Sequence, residues 1–307
     1  MKAAARPDGG TRCGFIAVLG APNAGKSTLV NRLVGAKVSI VSPKVQTTRT
    51  RVTAIGMVGS AQIVFLDTPG IFQGPRKRLE RAMVDAAWRS TKDADVLLLV
   101  VDAARKRIDP DTRQILDALK AKGLKAVLAL NKIDLVRKDT LLAKADALYQ
   151  SGAVSDVFMI SATEGDGVDA LKSHLVARLP EGPWHYPEDQ LTDMPERLLA
   201  AEITREKLFL RLYQEMPYSI AVETETWEEF KDGSAKVSQV IYVERDSQRP
   251  IVLGKGGATI KAIGEAARME LQDILGRKIH LALRVKQRED WSESRELFRD
   301  WGLEWDA

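Results

Sequence analysis

FIAVLGAPNAGKSTLVNRLVG, residues 15–35, decides how this chain is read. A short apolar run, FIAVLG (15–20), leads into GAPNAGKS (20–27), and a helix-like run follows at about 26–35. The middle piece fits GxxxxGK[ST], a match expected by chance on the order of once in a hundred chains of this length. A strand that turns into a helix through such a loop aims backbone N–H groups and the positive end of the helix at phosphate. Gly20, Pro22, Asn23, Ala24, Gly25, Lys26, Ser27 and Thr28 are therefore the candidate phosphate cradle. Lys26 is placed to reach the β- and γ-oxygens, and the Ser27 hydroxyl to ligate Mg²⁺.

The surroundings have the rhythm that such a loop needs. VTAIGMV (52–58), AQIVFLD (61–67), VLLLVVD (96–102), KAVLALN (125–131) and VFMISA (157–162) read as further strands. Most are continuous in Val, Ile and Leu, as strands buried on both faces are. Helical patterns alternate with them near 79–90, 110–122, 139–150 and 167–179, which predicts a doubly wound α/β domain. Only Gly59 and Ser60 separate the second and third runs. Two residues allow a hairpin but no crossover, so the six-stranded sheet should be mostly parallel with one antiparallel strand.

Three tetrapeptide-scale signals fall at strand ends. Asp67-Thr-Pro-Gly70 supplies a carboxylate for Mg²⁺ and, at Gly70, an amide for the γ-phosphate. Asn131-Lys132-Ile-Asp134 supplies a carboxylate that can accept from both N1–H and the 2-amino group of guanine. Adenine lacks that pair of donors, so the site discriminates against it. Ser161-Ala162 could brace the base. In open α/β sheets, such carboxyl ends converge on one crevice. The expected ligands are thus GTP or GDP with Mg²⁺.

The order GxxxxGKS, a threonine segment, DTPG, NKID and SA resembles the translation-factor-related small GTPases. The resemblance makes SPKVQTTRTR (42–51) the switch segment and picks Thr48, with Thr47 second, as the threonine that joins Ser27 and Asp67 on the metal. Lys26, Thr48, Gly70 and Asn23 are then the residues expected to act on the transferring phosphate. Ras-like GTPases orient water with a Gln just after the DxxG glycine. Here that place holds Ile71, and Gln73 comes two residues later, so a catalytic side chain of that type is not expected. Asn23 resembles the Asn of GTPases that place K⁺ near the phosphates; its other reading is a turn-shaping residue.

Beyond the first domain, taken as 1–182, the texture changes. PEGPWHYPEDQLTDMP (180–195) is rich in proline and acids and reads as a linker, bounded here as 183–195. The region 196–307 then offers a helical run (196–215), strand-like runs near 218–226 and 236–245, a helix (262–275) and a strand (279–286). Between them lies a second glycine loop, IVLGKGGATIKAIG (251–264). It fails both GxxxxGK[ST] and GxGxxG. It contains GxxG, as Gly254-Lys255-Gly256-Gly257, at a junction of two helices expected to be short. That is the device by which a KH module lets a nucleic-acid backbone come close. Lys255 and Lys261 supply charge there. From Lys255 to Arg288, eight basic residues face only Glu265, Glu270 and Asp273, a local bias that favours RNA.

Together, GAPNAGKS, QTTR, DTPG, NKID and SA, with AAEITREKLF (200–209), MPYS (216–219), the GxxG loop and WSESRELFRDWG, resemble the bacterial Era family over nearly the whole chain. The resemblance implies an α/β GTPase domain followed by a type II KH domain. It also implies GTP hydrolysis, binding of the 3′ end of 16S rRNA, and a role in 30S subunit assembly. A monomer, mainly cytoplasmic with weak peripheral inner-membrane association, is implied as well. Two other readings are an RNA-binding scaffold with a structural nucleotide, and a K⁺-dependent tRNA-modification GTPase. The latter would carry a second large domain and a C-terminal cysteine motif, whereas this chain ends GLEWDA.

Composition agrees and excludes other classes. With 307 residues there is room for two domains, and a net charge of +4 permits an anionic partner. A single cysteine, Cys13, excludes an internal disulfide framework and suits a reducing compartment. That cysteine and the scattered His174, His185 and His280 make a poor zinc site. MKAAARPDGGTRC (1–13) lacks the apolar core of a secretory signal, and no run of about eighteen apolar residues occurs.

Overall fold

A computed structural model describes residues 10–44, 47–212 and 216–307. Gln46 of the QTTR stretch and the last residues of the helical run 196–215 fall outside them, as does the start of the chain. The chain forms two compact units, one built mainly of Thr48–Asp193 with the chain up to Ser39, the other of Ile40–Thr47 with Met194–Trp305.

In the first unit β1 (Arg12–Leu19), β2 (Val52–Val58), β3 (Ala61–Asp67), β4 (Val96–Asp102), β5 (Ala126–Asn131) and β6 (Val154–Met159) form one sheet in the order β2-β3-β1-β4-β5-β6. The β2–β3 pair is antiparallel and the others are parallel. The two-residue hairpin at Gly59-Ser60 imposes that one reversal. Side chains alternate along each strand. Ile16 and Val18 join one core with Leu29, Val30 and Leu33 of α1 (Lys26–Val34) and with Leu171 and Leu175 of α5 (Val168–Ala177). Ala17 and Leu19 join the other, with Ala87 of α2 (Arg78–Arg89), Ile115 and Leu119 of α3 (Pro110–Ala121), and Leu141 and Leu148 of α4 (Lys138–Tyr149). Both faces are covered, which is why the strands read as unbroken apolar runs. The start of α3 is locally encoded. Asp109 caps α3 by accepting from the Thr112 amide at 2.9 Å, and Pro110 opens the helix.

Two expectations need correcting here. The last strand ends at Met159, so Ile160, Ser161 and Ala162 are buried loop. The proline-rich stretch is no free tether. Gln62, fully buried, accepts from the amides of His185 and Tyr186 (2.9 and 3.0 Å) and donates to the Tyr186 carbonyl (2.8 Å). The Ile55 amide donates to Leu191 O (2.8 Å), and the Thr192 hydroxyl to Thr53 O (2.7 Å). The stretch therefore covers β2, an edge strand whose polar groups need partners.

The second unit has α6 (Glu196–Arg211), β7 (Ile220–Glu229), β8 (Ala235–Val243), α7 (Arg249–Leu253), α8 (Ala258–Leu275), β9 (Ile279–Gln287) and α9 (Arg295–Asp300). The sheet order is β7-β8-β9, antiparallel then parallel. Leu199, Ala200 and Ile203 of α6 and Ala267 and Leu271 of α8 share a core with Ala235, Val237 and Ile279 of the sheet. Trp291 is buried, donates to Ser219 O (3.2 Å) and meets Trp301 edge-on, so the tryptophan-rich tail packs rather than displaying its rings.

Candidate functional site

In the first unit the loop after β1 is sterically determined. A Cβ on Gly20 would sit 2.4 Å from Val100 O, and one on Gly25 would sit 2.3 Å from Asn131 Nδ2. Gly70 lies against Pro22 so closely that a Cβ would be 2.9 Å from the Pro22 Cα. Asn23 adopts φ +62°, a left-handed conformation that Asn tolerates better than most residues. The turn alone thus accounts for an asparagine there.

Lys26 is almost completely buried, with Nζ 3.1 Å from the carbonyls of both Gly20 and Ala21. Burial pulls its pKa down to about 8, against the attraction of Asp67. Ser27 Oγ donates to Asp67 Oδ2 (2.8 Å) and lies 2.9 Å from Thr48 Oγ1. Asp67 is fully buried, and its carboxyl pKa is pushed up by desolvation. Its other oxygen, Oδ1, is buried without a hydrogen bond of good geometry, although the Ser39 side chain lies close enough to favour the ionised carboxyl. Three hard oxygen donors thus converge, one of them an acid with an unused lone pair, a set suited to Mg²⁺. Among the described residues no group of three or more His, Cys, Asp or Glu could hold a metal.

The threonine pair is divided by its contacts. The Thr47 hydroxyl donates to Lys44 O at 2.7 Å, while the Thr48 hydroxyl is the one beside Ser27. Ile71 is fully buried. Gln73 is tied to the start of α3 through Asp111 Oδ1 and Pro110 O.

Asn131 ties the crevice together, donating to Ala24 O (2.9 Å) and accepting from the Ala162 amide (2.9 Å). Lys132 donates to Asn23 O (2.8 Å) and pairs with Asp102 Oδ2 (2.7 Å). Sequence reasoning missed Asp102, although it ends the apolar run VLLLVVD as Asp67 ends AQIVFLD. Asp134 lies in the short turn Ile133–Leu135 with an exposed carboxylate. Ser161 is buried, its hydroxyl accepting from the Glu164 amide (3.1 Å). Thr28 and Ala162 line a 470 Å³ cavity together with Arg32 and Lys37.

In the second unit, Gly254, Gly256 and Gly257 have φ of +74°, +60° and +79°. They separate the five-residue α7 from α8, which runs eighteen residues rather than being short. Lys255 and Lys261 are exposed. A groove of about 440 Å³ is lined by Ile260, Lys261, Gly264, Arg268, Leu281 and Leu283, among others. Val252 and Ile263 are core, and Ile251 is exposed. The basic bias is smaller than the sequence window suggested. Arg277 pairs with Glu196 and Glu229, and Arg284 and Lys286 pair with Glu225. Those acids come from α6 and β7, outside the window. The hydrogen bond from Lys286 leads in holding Glu225 below the usual carboxylate range.

Comparisons with known proteins match a family in each part of the chain. A family described as "50S ribosome-binding GTPase" matches residues 15–132, and a KH domain family matches 215–292. The chain is 59% identical to GTPase Era of Rhizobium meliloti over 96% of this chain and 93% of that one. The chain belongs to the Era family of GTPases. GTPase Era of Caulobacter vibrioides is 55% identical over 97% of this chain and 98% of its own. An Era solved in complex with MgGDPNP and nucleotides 1506–1542 of 16S ribosomal RNA is 39% identical, with a TM-score of 0.89, covering 95% of this chain and 99% of that one. An Aquifex aeolicus Era variant bound to GDP and AlF4⁻ gives the same figures, TM-score 0.89 and 39% identity. The KH match replaces the alternative of a tRNA-modification enzyme, and the Era relatives are GTPases rather than scaffolds with a structural nucleotide. No described helix is long and apolar enough to cross a membrane.

Proposed function

We propose that this Era-family GTPase is a switch in small-subunit assembly: guanine nucleotide and Mg²⁺ occupy the first unit, and the 3′ end of 16S rRNA occupies the groove of the second. The observation that carries the nucleotide reading is the buried Asp67 Oδ1, without a hydrogen bond of good geometry, beside the Ser27 and Thr48 hydroxyls. Those three residues would hold the ion, which when bound draws charge from the β- and γ-oxygens. Lys26 and the loop amides of residues 23–28 bind the phosphates. Asn23, Thr48 and Gly70 border the γ-phosphate, where water forms the new P–O bond as the bond to the bridging oxygen breaks. Asn131 and Lys132 brace the loop under the base, Asp134 accepts from the guanine edge, and Ser161 and Ala162 close the other side.

Ile71 and the engaged Gln73 leave no side chain of the Ras type to orient water, so intrinsic turnover is slow. The K⁺ role of Asn23 rests on resemblance, and equal GTPase rates in KCl and NaCl at one ionic strength would remove it. In the second unit Gly254, Gly256 and Gly257 admit the RNA backbone, Lys255 and Lys261 face its phosphates, and bases enter the groove beside Ile260 and Leu283. A monomer in the cytoplasm, with the 30S subunit as partner and weak peripheral inner-membrane association, completes the reading. Multiple-turnover phosphate release, with and without an RNA of the 16S 3′ end, tests it. RNA binding that is indifferent to GTP analogue and GDP would overturn the switch.

A further inference from the structure

The second unit contains buried charges that neither site uses. On α6, Glu202, Arg205 and Glu206 are 6%, 1% and 2% exposed. Ionised groups are costly to bury unless fully partnered. Arg205 Nε donates to Glu202 Oε1 (2.8 Å), and a second bond runs to Glu202 Oε2. Lys207 Nζ pairs with Glu206 Oε2 (2.9 Å), and further partners come from the segment Ile40–Thr47. Glu206 Oε1 accepts from the Val41 amide (2.8 Å), and Arg205 also donates to the Thr47 carbonyl. Lys44 donates to Leu212 O, just past α6, and Ile40 is buried in the core with Leu199, Ala200 and Ile203. The segment is thus held at both its ends by one helix.

The residue after Thr47 is Thr48, where the chain returns to the first unit. The Thr47 carbonyl and the Thr48 amide share one rigid peptide plane. A guanidinium bonded to that carbonyl therefore limits how the Thr48 side chain can be presented. We infer that Arg205 and Glu206 are positioning residues for Thr48, so that recognition of the γ-phosphate depends on a latch in the second unit. The inference rests on the proposed role of Thr48. It gives AAEITREKLF, which carries the latch, a function beyond packing. α6 also shares its core with α8, the helix that opens with the GxxG loop, so RNA and triphosphate would sense each other through one element.

The test uses the full chain and compares binding of fluorescent GDP with that of a non-hydrolysable GTP analogue in Mg²⁺, with thermal melts alongside. In Arg205→Ala and Glu206→Ala the analogue should bind about tenfold more weakly while GDP changes by less than about twofold, the size of a lost hydrogen bond to a charged group. Glu206→Gln, which keeps an acceptor for the Val41 amide, should recover most of the loss. Lys44→Ala, outside the buried pair, should give a smaller selective loss even if Arg205→Ala does not fold. Equal weakening of both nucleotides, or no change in variants that melt like wild type, overturns the latch. A wild-type protein that does not distinguish the two nucleotides in Mg²⁺ sinks the role of Thr48 and the latch together. A wild type that does, with variants that still do, sinks the latch alone.

Discussion

At Gly20 and Gly25 of the first loop a methyl group has nowhere to go, because Val100 O and Asn131 Nδ2 already occupy the space. At Gly256 and Gly257 of the second loop a Cβ would meet nothing within 4 Å. There the requirement is conformational, a positive φ at both positions. The first loop is closed by its own fold. The second is tight at Gly254, where a Cβ would sit 2.2 Å from Thr259 Oγ1, and beyond it presents an accessible backbone beside a groove. Glycine serves enclosure in one case and approach in the other.

If enclosure matters, the first site should discriminate most sharply. Asp134→Asn should remove most of a guanine-over-adenine preference of roughly 10⁴, read from GDP and ADP affinities. Unchanged GDP binding would take Asp134 off the guanine edge. Next, Asp67→Asn should lower turnover by about 10²–10³, as loss of a preorganised charge does. It should also raise the melting temperature of the nucleotide-free protein at neutral pH. The sign follows from the pKa: the folded protein holds the Asp67 proton more tightly than the unfolded chain, so this group's contribution is fully present below the carboxyl's ordinary 3.8 and is lost as pH rises through the raised folded value. A melt unaffected by the substitution would contradict the desolvated carboxylate.

The open loop should respond more gently. Lys255→Glu should leave GTP hydrolysis intact, weaken RNA binding, and flatten the dependence of log affinity on log salt by about 0.7. An unchanged slope would mean that Lys255 meets no phosphate. Smallest of all, Gly256→Ala should cost about 1 kcal/mol of stability, from φ alone, because there is space for the methyl. A loss comparable to that of Gly25→Ala, where the methyl collides with Asn131, would erase the distinction between the loops.

The strands were legible because residues such as Ile16 and Ala17 are buried on opposite faces, leaving no polar interruption. The end of β6 was not, because Ile160 and Ala162 are as buried as strand residues and Ile160 still donates to Leu130 O (2.9 Å), although the strand ends at Met159. Burial selects apolar side chains without specifying backbone. The linker misled for the opposite reason. Its prolines and acids suit a tether, and the residues that hold it, the buried Gln62 amide and the backbone of Thr53 and Ile55, come more than a hundred residues earlier. The basic window likewise omitted Glu225, Glu229 and Glu196, which are remote in sequence and paired in space.

The chain's order of residues pointed to a phosphate loop, a candidate guanine acceptor and candidate metal ligands, because each motif is a short run of residues a few positions apart. Tertiary structure alone decided that the Thr48 hydroxyl meets Ser27, that Asp102 holds Lys132, and that α6 grips the segment before the switch threonine. Those are contacts between distant segments, and no local spacing encodes a distance that only packing creates.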